Sequence, residues 1–400
     1  MANAARSPSP LALCLAGWLS LAVAMGIGRF AFTPVLPLMM RAGQLDVATG
    51  GWLAAANYAG YLLGALCAAR MRLDAARLAL LALAGTALLT AAMAWPSPVL
   101  WGVLRFLAGV CSAWVFVATS VWCLGALAQH GRSDLAPAVY AGVGSGIAMA
   151  GLYCLVAGTL QVSPAALWLQ LGVLAALMAL PVAWLLARVP AAALPAQAAA
   201  AETAAPPESS TGLALCYGVM GFGYILPATF LPVLARAVVD DPLLFGLAWP
   251  VFGFTAAVST LLAGWWMRHA SRLQVWACCQ ALMGLGALLP GVWPGGFSIA
   301  ASALLVGGTF MVITLVGVQE IRARAAHAPA AAVGRMTAAF ATGQIAGPVA
   351  SALLLYVPAL RAQGLALALQ VAAFALFATA WWLWRQATPL HHPKEISHAP

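Results

Sequence analysis

The chain has 400 residues, of which 64% are hydrophobic and 7% charged, with a formal net charge of +9; its mean hydropathy of +0.96 lies far from that of soluble domains. Such a composition excludes an ordinary water-soluble enzyme or binding module and leaves room for about twelve membrane crossings at about 30 residues per span and turn. The basic residues come as short clusters between apolar runs, so the charge is not the continuous stripe of a nucleic-acid binder.

The first apolar run, residues 11 to 40, reads LALCLAGWLSLAVAMGIGRFAFTPVLPLMM and carries Arg29 well inside it. A charge at that depth costs about 2.5 to 3.5 kcal/mol on insertion scales and normally faces a bundle interior or a wet cavity, which makes Arg29 a functional candidate. The alternative is that it snorkels or holds helix-end carbonyls as structural glue. Residues 1 to 24 have the build of a signal peptide, with Ala22 and Ala24 near a cleavage site, but the run continues to Met40 and so favours an uncleaved first helix.

Apolar length and chain breakers predict spans at 11–39, 50–69, 76–95, 98–123, 138–160, 166–187, 212–235, 245–267, 273–290, 297–319, 336–358 and 364–384. Asp46 and Asp241 stand where the second and eighth helices need N-caps. Asn57 and Tyr58 in the second span are polar groups at membrane depth, either lining a cavity or bonding a neighbouring helix. The fourth span holds Arg105 on a stripe with Gly109, Ser112, Phe116, Thr119 and Cys123, a small or polar face that suits a cavity wall or close helix packing.

Counted from Pro37 and Pro98, Arg29 and Arg105 lie about 10 to 12 Å deep at 1.5 Å per residue, so one ligand could meet both. No Asp or Glu falls inside these spans, and the missing anion is read as the substrate. The fifth span carries Gly142, Gly144 and Gly146. It has neither the preceding strand of a dinucleotide loop nor a histidine base for a serine nucleophile, and close helix contact explains it better.

Residues 188–211, rich in Ala and Pro, form the longest break and read as a cytoplasmic linker between an N-terminal bundle, 1–187, and a C-terminal bundle, 212–385, followed by a tail, 386–400. The halves repeat: Met25-Gly26, Gly28, Leu36-Pro37, Arg41, Asp46 and Gly51 recur 195 positions on as Met220-Gly221, Gly223, Leu231-Pro232, Arg236, Asp241 and Gly246, whereas Arg29 is matched by Tyr224. Tyr224 and, in the eleventh span, Gln344 join the candidate pocket residues. With the N-terminus inside, thirteen Lys and Arg face the cytoplasm and three the outside, which places both termini in the cytoplasm.

Glu320 beside Arg322 and Arg324 reads as a cytoplasmic ion pair. Eight cysteines in apolar segments and His391, His392 and His398 in the tail make neither a disulfide framework nor a metal site, and no cofactor is expected. Seventeen Arg against one Lys, with abundant Ala, is the usage of a GC-rich bacterial genome, and hence of a bacterial inner membrane.

On these residues the chain resembles a major facilitator superfamily transporter across nearly its whole length; MGIGRFAFTPVLPLM, NYAGYLLGA at 57–65 and TGQIAGP at 342–348 are similar to the YbfB/YjiJ-type branch. The resemblance implies an all-α membrane fold of twelve transmembrane helices in two six-helix bundles related by a pseudo-two-fold, with a site between them near mid-membrane. RFLAG at 105–109 resembles the superfamily's fourth-helix Arg motif, which implies a part in proton coupling for Arg105. The superfamily's loop motif resembles Gly64 to Arg72 and again Gly264 to Arg272, a gating element, but the expected Asp falls on Ala68 and Arg268. The fifth-helix glycine pattern of antiporters lacks its Pro, so export is not implied.

The sequence thus supports a secondary active transporter, expected as a monomer in the bilayer, moving an anionic or carbonyl-bearing small molecule past Arg29, Arg105, Asn57, Tyr58, Tyr224 and Gln344. The rivals are an exporter with a largely apolar cavity, a ligand sensor on the same fold, and a membrane enzyme, for which no nucleophile with base or metal set is found in the spans.

Overall fold

The structure, a computed structural model, describes residues 8–68, 73–187, 208–238, 241–324, 329–360 and 362–387. Its first crossing helix is composite. It starts as α1 (Pro10–Leu21), widens into a nine-residue π-helix (Ala22–Phe30) and returns to α-helix as α2 (Phe32–Arg41). The N-terminal set continues with α3 (Val47–Ala68), α4 (Ala75–Ala92), α5 (Pro98–Gln129), α6 (Ala136–Thr159) and α7 (Pro164–Leu186). The C-terminal set is α8 (Glu208–Val238), a short α9 (Pro242–Gly246) leading into α10 (Ala248–His269), then α11 (Arg272–Val292), α12 (Gly296–Arg324), α13 (Pro329–Tyr356) and α14 (Gly364–Gln386).

Sharp starts follow from local chemistry. Ser9, Ser97 and Ser163 each accept an amide of the first turn, and Pro at the first helical position has no amide to lose. Ser271 makes a capping box with Gln274. Asp46 accepts from the Thr49 amide at 2.7 Å and Asp241 from the Leu243 amide at 2.8 Å, as N-caps do. Eleven of the described helices are long and apolar enough to cross a membrane. The twelfth, α3, has the length, 22 residues, but spends part of its apolarity on Gly50, Gly51, Asn57, Tyr58 and Tyr61. Leu and Val side chains such as Leu88 and Val99 stand exposed on the outside of the bundle, a surface made for lipid.

Several boundaries move. The fourth helix runs to Gln129 instead of 123, because Ala, Leu and Gln are good helix formers with no bilayer needed to hold them. The expected single eighth helix is broken at Leu247 between α9 and α10. Residues 208–211, assigned to the linker, are the first turn of α8; the rest of that linker, Arg72 and the tail beyond 387 lie outside the described residues.

The halves meet along two seams, α3 against α13 and α6 against α10. The 195-residue repeat makes these seams equivalent. Thr33 Oγ1 donates to the Ala228 carbonyl at 2.9 Å across 195 positions, so two equivalent residues touch each other. Only residues beside a two-fold axis do that, and the axis therefore runs between α2 and the middle of α8.

Candidate functional site

Arg29 sits at the last turn of the π-helix, 2% exposed, where the two halves meet. Its Nη2 donates to Gln344 Oε1 on α13 at 2.7 Å. Gln344 Nε2 in turn donates to the Tyr224 hydroxyl on α8. The guanidinium lies 4.0 Å from the centre of the Tyr61 ring, 5.1 Å from that of Tyr58 and 5.3 Å from that of Phe30. Each such contact is worth up to about 2 kcal/mol away from water. That is less than the several kcal/mol by which burial disfavours an ion, and the Arg29 Nε has no partner. Among the described residues no carboxylate forms an ion pair with Arg29 or Arg105; the four ion pairs lie elsewhere.

The C-terminal wall facing this cation is aromatic. The Tyr224 ring stacks between Phe310, at 5.3 Å between centroids, and Phe340, at 5.7 Å, and Tyr217 extends the stack on Phe340 at 4.9 Å. Tyr58 reaches the same wall by a 3.0 Å hydrogen bond with Thr229. The structure therefore brings together Arg29, Tyr58, Tyr224 and Gln344 of the expected residues, and adds Tyr61. Tyr61 stands one helical turn from Tyr58 and so on the same face, a spacing visible in the sequence.

Arg105 and Asn57 stand behind this group. Arg105 Nη1 donates to the Gly28 carbonyl at 3.2 Å and Nη2 to the Arg29 carbonyl at 2.9 Å, so the two arginines are at one level, but the second is spent on the backbone of the first. Asn57 Nδ2 holds the Arg105 carbonyl at 2.8 Å. The expected picture of two guanidinium groups fronting one chamber is thus modified in this conformation, because the carbonyls of the π-helix hold both Nη groups of Arg105. The stripe on α5 is packing: Ser112 Oγ donates to the Ala24 carbonyl at 2.7 Å and Cys123 Sγ to the Leu13 carbonyl at 3.3 Å.

The glycines of α6 divide between two neighbours. A Cβ on Gly146 would lie 2.5 Å from the Ala22 carbonyl oxygen, and Gly142 faces Trp18 in the same way, both within the N-terminal half. Gly144 faces the other half, where a Cβ would overlap the Ala257 amide nitrogen. Of the loop-motif residues, Gly64 packs on α5 and Gly264 faces open space. Arg272 donates to Glu320 at 2.8 Å, and Glu320 also holds Arg324 at 2.7 Å; the latter pair was expected, the former was not.

Among the described residues, hydrogen bonds that join the halves run from Arg29 to Gln344, from Thr33 to Ala228, between Tyr58 and Thr229, and from Arg236 to the Pro37 carbonyl at 2.9 Å. All four lie at the level of Arg29 or between it and the Arg41 end. There, a cavity of about 380 Å³ lined by Arg41, Gln161, Asp241 and Trp249 opens above them. Toward the Ser9 end, α1 packs on α5, α6 and α7 of its own half. Among the described residues no cluster of His, Cys, Asp and Glu has the make-up to hold a metal ion.

A family model described as "Uncharacterised MFS-type transporter YbfB" matches residues 21–383. No curated protein matches the chain. Two solved structures of the nucleoside transporter NupG share the fold. A point mutant aligns with a TM-score of 0.72 at 13% identity, covering 95% of this chain and 100% of that one. The second aligns with a TM-score of 0.68 at 12% identity, covering 94% and 98%. At such identity the likeness concerns the fold alone.

Proposed function

The chain belongs to the YbfB-type family of major facilitator superfamily transporters, and from that premise we propose that it carries an anionic or carbonyl-bearing small molecule past Arg29 by alternating access. It is a multi-pass membrane protein and a secondary transporter of small molecules, not an enzyme. The observation that carries the substrate class is the 2% exposed guanidinium of Arg29, bound to a neutral amide and three rings with no carboxylate paired to it among the described residues. A buried cation that lacks an anion is favoured to take one from a ligand.

Residues 1–187 and 212–385 are the two rocking units in this reading, moving on the seams at Gly144 and at Gly51. Arg29, Tyr58, Tyr224 and Gln344 contact the substrate, with Asn57 and Arg105 behind them. The hydrogen bonds between α2 and α8 close the Arg41 end, which the distribution of basic residues makes the outer face; the conformation is then closed to the outside. The termini are cytoplasmic, the membrane is a bacterial inner membrane, the working unit is the monomer, and transport is driven by protons.

The test is uptake of labelled small organic acids into proteoliposomes holding the purified chain, with candidates chosen by thermal shift. Accumulation that depends on an imposed proton gradient is the expected result. Saturable binding of an acid without flux would overturn the transport reading, and flux restricted to neutral apolar compounds would overturn the substrate class.

A further inference from the structure

We infer that Arg105 is a positioning residue: its guanidinium replaces the backbone amide donor that Pro34 lacks and grips the neighbouring carbonyl as well, and so holds the π-helical register that aims Arg29 at Gln344 and Thr33 at Ala228. Arg105 belongs to the proposed transport site, yet this role stands on backbone geometry and is tested without any substrate.

A π-helix pairs each carbonyl with the amide five residues on, an α-helix with the amide four on. The segment Ala22–Phe30 follows the first rule, and α2 the second, with the Val35 amide on the Ala31 carbonyl at 3.3 Å. Where the register returns, position 34 is Pro, which has no amide hydrogen. The amide that the π rule would give to the Arg29 carbonyl is therefore absent. Arg105 supplies the replacement from 76 residues away, with Nη2 on Arg29 O at 2.9 Å and Nη1 on Gly28 O at 3.2 Å. Ser112, two turns along the same helix, adds a further side-chain donor from α5, on the Ala24 carbonyl at 2.7 Å.

Small residues make the wide turn fit. A Cβ on Gly26 would lie 2.5 Å from the Gly146 Cα, and one on Gly28 2.6 Å from the Thr86 methyl carbon. A π-turn carries one residue more than the α-turn it replaces, so its loss rotates α2 by about 100° relative to α1. Arg29 and Thr33 cannot then both keep their partners across the halves. A planar fork reaches two carbonyls at once; a lysine ammonium or a neutral side chain of equal length does not.

The test is disulfide cross-linking of Thr33→Cys with Ala228→Cys in the full-length chain, its eight native cysteines replaced, in membranes treated with copper phenanthroline. Gly51→Cys with Ala352→Cys, across the α3–α13 seam, serves as the control pair, since a Cβ on Gly51 lies 3.5 Å from that of Ala352. With Arg105 present both pairs should cross-link; failure of the first pair alone would overturn the inference. Arg105→Met should slow the first pair at least tenfold and leave the control unchanged, and Arg105→Lys should fall between. Adding Pro34→Ala to Arg105→Met returns an amide donor and should restore at least half of the lost rate. An Arg105→Met protein that cross-links at the original rate would overturn the inference. So would a defect, in one pair or in both, that Pro34→Ala does not relieve.

Discussion

At position 29 of the N-terminal half stands an arginine in a π-helix, and 195 residues on, in the continuous α-helix α8, stands Tyr224. The same pairing sets Arg105 against Ala300 and Met149 against Gln344. Backbone positions repeat closely enough that Thr33 and Ala228 touch across the axis, so the difference is one of side chains laid on a shared scaffold. The N-terminal half supplies charge, and the C-terminal half supplies a wall of stacked rings and one amide. A symmetric pair of bundles can rock about an axis, but a symmetric site would place two like charges or two apolar walls face to face. Dividing the chemistry lets the charge of one half be answered by a ligand instead of by the other half.

Removing the charged half of that division has the largest expected effect. Arg29→Ala should lower uptake of an acidic substrate about 100-fold, the equivalent of about 2.7 kcal/mol, since a buried charge-assisted contact is worth about 2 to 5 kcal/mol. Membrane insertion should be unchanged, because the variant is the more apolar one. Proteoliposome flux and detergent-extracted yield check the two claims separately. Uptake at the wild-type rate with an identified substrate would show that the charge is structural.

The next way to sharpen the contrast is to give the C-terminal half an anion of its own. Gln344→Glu places a carboxylate where an amide oxygen now lies 2.7 Å from Arg29. The carboxylate neutralises a buried cation that has no anion paired to it among the described residues, so the melting temperature should rise. The internal carboxylate then competes with the ligand, and the apparent affinity for acidic substrates should weaken about tenfold. A higher melting temperature with unchanged affinity would separate the bridge from the binding site.

The crossing helices, the repeat and the clustering of polar groups were legible because a bilayer demands about 20 apolar residues per helix and spares few charges. The partnership of Arg29 with Gln344 was not, since it spans 315 positions and depends on how two bundles dock. Nor was the π-helix: apolar periodicity in a sequence is read at 3.6 residues per turn, and Gly26, Gly28 and Pro34 mark a wider turn only once Arg105 is seen on the carbonyls. The sequence reads Arg105 as a ligand contact on a face suited to a cavity wall or to helix packing and offers carbonyl glue only for Arg29, yet it is Arg105 that makes the bonds to carbonyls. Tyr61 was hidden by its type, since a tyrosine among apolar residues reads as ordinary packing until a cation is found above its ring.

Helix packing offers a smaller contrast. Position 144 is Gly in α6, on the seam with α10, and its equivalent in α13, 195 on, is Ala339, whose Cβ faces Gly218 of α8 in its own half. A Cβ at 144 would overlap the Ala257 amide nitrogen, so backbone must move. Gly144→Ala should cost about 1 to 3 kcal/mol of stability, as overpacking does, whereas Ala339→Gly, which opens space, should cost about 1 kcal/mol through helix propensity. Melting temperatures of the two variants in detergent give the comparison, and equal losses would mean that the two equivalent positions are not packed differently.

Smallest is the contrast at the loop ends. Glu320 in α12 holds Arg272 and Arg324, while its equivalent in α5 is Gly125, so this three-residue cluster has no counterpart at the matching position of the N-terminal half. The side chains of Arg272 and Arg324 are 42% and 27% exposed, which screens the attraction, and Glu320→Gln should cost about 1 kcal/mol or less. Because the cluster lies within one half, it cannot distinguish two states that differ by the rocking of halves. Flux should stay within about twofold of wild type. A large loss of flux without a loss of stability would mean that Arg272 changes partner during the cycle and that the C-terminal half carries a gate as well as a wall.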